Sequence, residues 1–270
     1  MDAAGRRRAG VAALVVGGLQ YVILEAIAAS AWTRVRYDYA GNYISDLGVP
    51  VAQLYRGRDV DSPLAWAMNT AFVAQGLLFA LGTALLATQF AGTARRALLW
   101  FAGLHGAGFV LVGLFHEAAG AGPLHHGGAG MGVLFGNLVA VVVGVSSARA
   151  GLPRWFAATS VVAPVAGLLS EAVLFSRLTP DAVDGLWERG GVYSIVAWEV
   201  LFGAVLLGRA APQPEPGALS AAVPASSRAR GTPTTRVRHR TSPGRAGRRG
   251  LHAPRLSRRA GRETRHSSHG

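Results

Sequence analysis

The sequence contains no cysteine and no lysine, and only 15% of its 270 residues are charged. Without thiols there are no disulfides, no thiolate metal sites and no redox-thiol chemistry. An ordinary soluble domain carries roughly 25% charged residues. The low charge, together with 50% hydrophobic residues and a mean hydropathy of +0.30, excludes that class. All 27 basic residues are arginine. Beside the excess of alanine and glycine, this reads as codon bias in a GC-rich genome and carries no phosphate-recognition meaning.

The charge is unevenly placed. Residues 1–210 hold 14 Arg against 12 acids, whereas residues 211–270 hold 13 Arg against Glu215 and Glu263. The net charge of +13 is therefore +2 for the body and +11 for the tail. The tail, 211–270, is rich in Arg, Pro and Ser and has no apolar periodicity, so it cannot bury enough surface to repay ordering and is expected to be disordered. Thirteen arginines without aromatic stacking residues give salt-dependent attraction to anionic lipid and no specific nucleic-acid recognition.

A membrane helix needs about 20 largely apolar residues. Six segments qualify: about 9–31, 64–88, 97–118, 127–149, 155–176 and 189–209. The first follows Arg6, Arg7 and Arg8 as a signal peptide would, but its apolar length and its Gln20 and Glu25 make it a retained helix. Alternating loops put residues 1–8, the Arg95-Arg96 turn, the Arg149 to Arg154 turn and the C-terminus on one side. That side carries eight arginines against six in the opposite loops, so both ends are expected to be cytoplasmic in a plasma-membrane protein. The expected fold is an all-α integral membrane protein: residues 9–210 form a six-helix bundle, with a long outer loop between the first two helices. Small residues such as Gly103, Gly106 and Gly108, and Gly128, Gly130, Gly132 and Gly136, suit close helix packing in lipid.

The loop between the first two spans is the least repetitive stretch. Asn42-Tyr-Ile-Ser-Asp46 combines an amide, a hydroxyl and a carboxylate with apolar Ile44 and Leu47, and Gly48-Val-Pro50 follows. Two readings stand: a turn capped by its own side chains, or Asn42, Ser45 and Asp46 facing a polar pocket at the outer surface. With Tyr39, the segment Asn42, Ile44, Ser45, Asp46, Leu47 and Gly48 resembles the N-x-I-S-D-L-G stretch of a bacterial and archaeal membrane family, domain of unknown function 998. Two further stretches are similar to that family: Gly113-Leu-Phe-His-Glu117 with His125-His126, and Gly185-Leu-Trp-Glu-Arg189 leading to Trp198. The chain departs from it at Phe115-His116-Glu117, where Phe-Pro followed by an acid is expected. The resemblance covers about residues 10–209 and implies six helices and no particular activity.

Glu25, Glu171 and Glu199 fall at membrane depth, where a central acid costs about 2.5 to 3.5 kcal/mol on an insertion scale. Each is expected to be hydrogen-bonded or paired with Arg34, Arg36, Arg177 or Arg189, and Tyr21 shares a helical face with Glu25. They form either a structural clasp or a substrate or proton site. An 11-residue separation returns to within about 20° of the same helical face, so His105 and His116 share a stripe on the third helix, as do Glu188 and Glu199 on the sixth. His116, Glu117, His125 and His126, with Asp46 and Glu188, offer enough N and O atoms for zinc. Adjacent His125 and His126, however, are not expected to aim at one ion from a regular helix, and no metal is assigned. Ser45, Asp46 and the histidines resemble in outline the multi-helix intramembrane lipid hydrolases, although Ser45 lacks a Gly-x-Ser-x-Gly context.

Three functions follow: binding a small or lipidic ligand in an outward-facing polar pocket, metal-dependent hydrolysis in the membrane, or a scaffold whose polar groups pair off and leave no cavity. The first and second place the site at Asn42, Ser45, Asp46, His116, Glu117, His125, His126, Glu188 and Arg189. Arg189 is expected to pair with Asp46 or Glu188.

Overall fold

The computed structural model of the chain describes residues 1–118, 120 and 122–209; the tail expected to be disordered lies outside them. Among these residues, six helices are long and apolar enough to cross a membrane: α1 Ala3–Ser30, α2 Ala65–Leu86, α3 Gly92–Leu114, α4 Gly122–Ser146, α5 Arg154–Ser176 and α6 Asp184–Gly208. Asp2 caps α1 by accepting a hydrogen bond from Gly5 N at 2.7 Å. The third helix starts earlier than its apolar run. Gly92, at φ +58°, turns the chain into it, and the exposed Arg95 and Arg96 lie in its first turns. It also ends earlier, at Leu114, so His116 does not share a helical stripe with His105.

Each helix packs on the next, α6 closes back on α1, and α4 also touches α6. One half of the apolar interior gathers Leu14, Phe79, Leu98, Phe156 and Phe202; the other gathers Tyr21, Leu47, Phe72, Phe109 and Val192. Close approach is made by small residues. A Cβ on Gly108 would stand 2.5 Å from the Gly128 carbonyl oxygen and 2.6 Å from Gly132 N, so α3 and α4 touch backbone to backbone.

The two ends of the bundle are tied differently. At one, Arg7 donates to the Leu206 carbonyl and Arg209 to the Gly151 carbonyl, which joins the N-terminus, the α4–α5 turn and the end of α6. At the other lies the long loop, which is more ordered than an all-helical reading anticipates. It holds a short 3-10 turn, Ser45–Gly48, and a hairpin of β1 Gln53–Tyr55 and β2 Arg58–Val60, paired antiparallel with Tyr55 opposite Arg58. Arg56 (φ +48°) and Gly57 (φ +79°) both take the left-handed conformation that a two-residue hairpin turn demands. The Tyr55 hydroxyl donates to the Glu117 carbonyl at 2.9 Å, and Leu186 N donates to the Ala40 carbonyl at 3.1 Å, so the loop lies over the ends of the helices.

Candidate functional site

The hairpin brings Arg58 onto Asp46. Its Nε and Nη2 donate to the two carboxylate oxygens at 2.9 Å each, and Asn42 Nδ2 (3.1 Å) and Tyr43 N (3.0 Å) add further donors. Asp46 is completely buried. Burial raises its pKa, but the Arg58 bonds, with those of Glu117 and Asn42, outweigh this and hold it below the usual carboxylate range. Glu117 shifts the other way. Burial, then a hydrogen bond to Asp46, then the charge of Asp46, push it above the usual range, against the attraction of Arg58. Two neighbouring carboxyls are thus split into one that is charged and one that favours its proton. Tyr43, whose hydroxyl donates to Asp184 at 2.7 Å, is pushed up to about 12 by burial and by that bond.

The loop is anchored on the start of α6. Arg189 donates to the carbonyls of Tyr39 and Asn42 (2.9 Å each) and Gly185 (3.0 Å), to the Tyr37 hydroxyl, and to Glu25 Oε1 at 3.1 Å. The expected pairing of Arg189 with Asp46 or Glu188 is therefore corrected. Arg189 pairs with Glu25, while Asp46 takes Arg58, because the hairpin turn delivers a cation to Asp46 from its own loop. Tyr193 is the phenol on Glu25, at 2.8 Å, and the Tyr21 hydroxyl has no partner among the described residues. Glu188 accepts from Ile44 N and from Ser45 Oγ at 3.3 Å. Among the described residues Ser45 thus bonds a carboxylate and no histidine.

Beneath the loop is a cavity of about 260 Å³. Ser45, Glu117, His125, His126, Glu171 and Glu188, with Arg56 and Arg177, supply its polar wall; Tyr21, Phe72, Phe109, Val133 and Val192 supply its floor. Val192 lies eight residues into α6 and Val133 eleven into α4, so at 1.5 Å per residue the floor is about 12 to 17 Å below the helix ends. The half-buried Gly130 of α4 and the exposed Phe175 of α5 carry the wall out to the side of the bundle. Glu171 Oε1 is buried there without a partner among the described residues.

Glu117, His125 and His126 each bring one ligand-type atom within 4.8 Å of the others. Adjacent His125 and His126 are not expected to aim at one ion; both stand near the start of α4, and their proximity does not by itself make them share one. Side chains in a helix tilt toward its N-terminus, and that end faces Glu117. The imidazole centroids are 5.5 Å apart at 88°. His125 Nδ1 lies 2.8 Å from the Phe115 carbonyl oxygen.

Of the residues singled out from sequence, Ser45, Glu117, His125, His126 and Glu188 line the cavity, whereas Asn42, Asp46 and Arg189 hold the loop over it. His116, in the turn after α3, is not on its wall; burial lowers its pKa. Among the acids and histidine placed at membrane depth, Glu171 joins the cavity. Glu25 is bound by Arg189, Glu199 accepts from Gln75 Nε2 at 2.6 Å, and His105 Nδ1 lies 2.8 Å from the Gly132 carbonyl oxygen. Arg58 was missed. The signal for it was the alternation in Leu54-Tyr-Arg-Gly-Arg-Asp-Val60 around a Gly-containing turn.

Residues 14–205 match the family model described as "Protein of unknown function (DUF998)". No curated protein and no solved structure matches the chain.

Proposed function

Because the chain belongs to this family of unknown function, its role has to be read from its own geometry, and we propose that it binds a small or lipidic amphiphile in the outward-facing cavity. One observation carries this reading: the polar groups of the outer layer do not all pair off, but leave a cavity of about 260 Å³ with acids and imidazoles on one wall and an apolar floor at hydrocarbon depth. A scaffold would have no use for that space. The volume equals about nine waters at about 30 Å³ each, enough for a headgroup or a short acyl segment. The rest of a lipid would leave between α4 and α5, past Gly130, whose missing Cβ has no atom within 4 Å.

Filling that exit tests the reading. Gly130→Trp is expected to preserve the helical circular dichroism of the protein in mild detergent while stripping the lipid that co-purifies with it, measured by native mass spectrometry. A variant that keeps the same lipid at the same stoichiometry would overturn the proposal. A second reading, hydrolysis assisted by Zn²⁺, is favoured by the convergence of Glu117, His125 and His126 alone, and it requires an ion there.

The proposed setting is the plasma membrane with both ends cytoplasmic, supported by the arginine bias of the loops. This places the loop and cavity outside, and the Arg-rich tail beside anionic inner-leaflet lipid. The native chain has no thiol, so single cysteines report cleanly. Ala52→Cys is expected to react with an impermeant thiol reagent on intact cells, and Ala91→Cys and Gly151→Cys to resist it. All three positions are exposed, so the reverse pattern would invert the orientation.

A further inference from the structure

We infer that Glu117, His125 and His126 form a binding site for a divalent transition-metal ion, Zn²⁺ by the chemistry of its donors, at the polar wall of the cavity. The three ligand-type atoms already lie within 4.8 Å of one another. Two further features point to an ion. Glu117 is only 3% exposed, yet its Oε1 has no hydrogen-bond partner among the described residues; Arg58 Nη2 stands 3.7 Å away and is committed to Asp46. His125 is fixed in the state a ligand needs. A carbonyl oxygen only accepts, so the Phe115 carbonyl at 2.8 Å requires the hydrogen on Nδ1 and leaves the Nε2 lone pair free. Metal-bound histidines are oriented in this way by a carbonyl or carboxylate behind the ring.

The donor set narrows the metal. Two imidazoles and a carboxylate, without sulfur, suit Zn²⁺ and other borderline ions better than Mg²⁺ or Ca²⁺, which take oxygen. Two histidines and a glutamate make the three-ligand set of zinc sites that keep one position open. All three residues stand on the cavity wall, so the open position belongs to water or to whatever occupies the cavity. Glu171 and Glu188 lie on the same wall. The inference goes beyond amphiphile binding and does not depend on it: the metal is measured with no amphiphile added, so either proposal can fail alone.

The test uses the full chain purified in detergent, stripped with chelator, and then titrated with Zn²⁺ and Co²⁺. Four histidines outside the described residues, His239, His252, His266 and His269, can hold metal weakly, so the readout is the difference between variants. The wild type is expected to bind one tight equivalent more than Glu117→Gln, His125→Ala or His126→Asn, to rise in Tm on adding Zn²⁺, and to give Co²⁺ visible bands without a thiolate charge-transfer band. His126 is exposed, so His126→Asn keeps the fold and makes the comparison fair even if the buried variants unfold. Equal zinc content in the wild type and His126→Asn, with no zinc-dependent change in Tm, would overturn the site.

Discussion

Replacing Arg189 with alanine is expected to lower the stability of the protein in detergent by about 3 to 5 kcal/mol, the cost of leaving a buried acid without its cation. Arg189 is 7% and Glu25 1% exposed, and the guanidinium also holds three carbonyls and the Tyr37 hydroxyl, so alanine strands several buried acceptors at once. The double variant Glu25→Gln with Arg189→Met is expected to recover part of the loss, because it removes the stranded charge along with the cation. Equilibrium unfolding in mixed micelles measures both. A loss under about 1 kcal/mol for Arg189→Ala, the value of an exposed pair, would show that the loop is not anchored through this residue.

Arg58→Ala should cost nearly as much, about 3 kcal/mol, but its effect is local. Asp46 keeps Asn42 Nδ2 and Tyr43 N and loses both bonds of the guanidinium. Hydrogen exchange over residues 42–60 should rise sharply while the helices remain protected, because the loop can open without unfolding the bundle. Arg58→Lys should restore only part of the protection, since a point charge cannot satisfy two oxygens as a planar fork does. Unchanged exchange in Arg58→Ala would mean that the 3-10 turn is held by its backbone alone.

The six spans were legible because lipid accepts only long apolar helices with all their backbone groups satisfied, and Gly108 and Gly128 could be recognised as packing residues for the same reason. That polar residues would gather under the loop was also legible, from the energetic penalty on stray charges near hydrocarbon. What one dimension could not supply was the choice of partners. Arg189 lies next to Glu188 in sequence, yet it reaches Glu25 across the α1–α6 contact, because helical azimuth and side-chain length decide between acids at similar depth. Arg58 was hidden for a different reason. A three-residue strand is too short to show clear periodicity, and only the Arg56-Gly57 turn reveals that the chain doubles back toward Asp46.

The Glu25–Arg189 pair joins residues 164 positions apart, and this sets the order in which the protein can be made. During synthesis the first helix and its loop emerge long before the sixth, so Glu25 enters the bilayer without its cation and the carbonyls of Tyr39 and Asn42 wait without their donor. Neither the lid nor the cavity beneath it can form until α6 has inserted and docked against α1. The closing step is therefore a late and long-range one, like the Arg7 contact with the Leu206 carbonyl at the other end of the bundle. A chain truncated before Glu188 would carry five helices, with Glu25 lacking its cation and the loop lacking its anchor on α6.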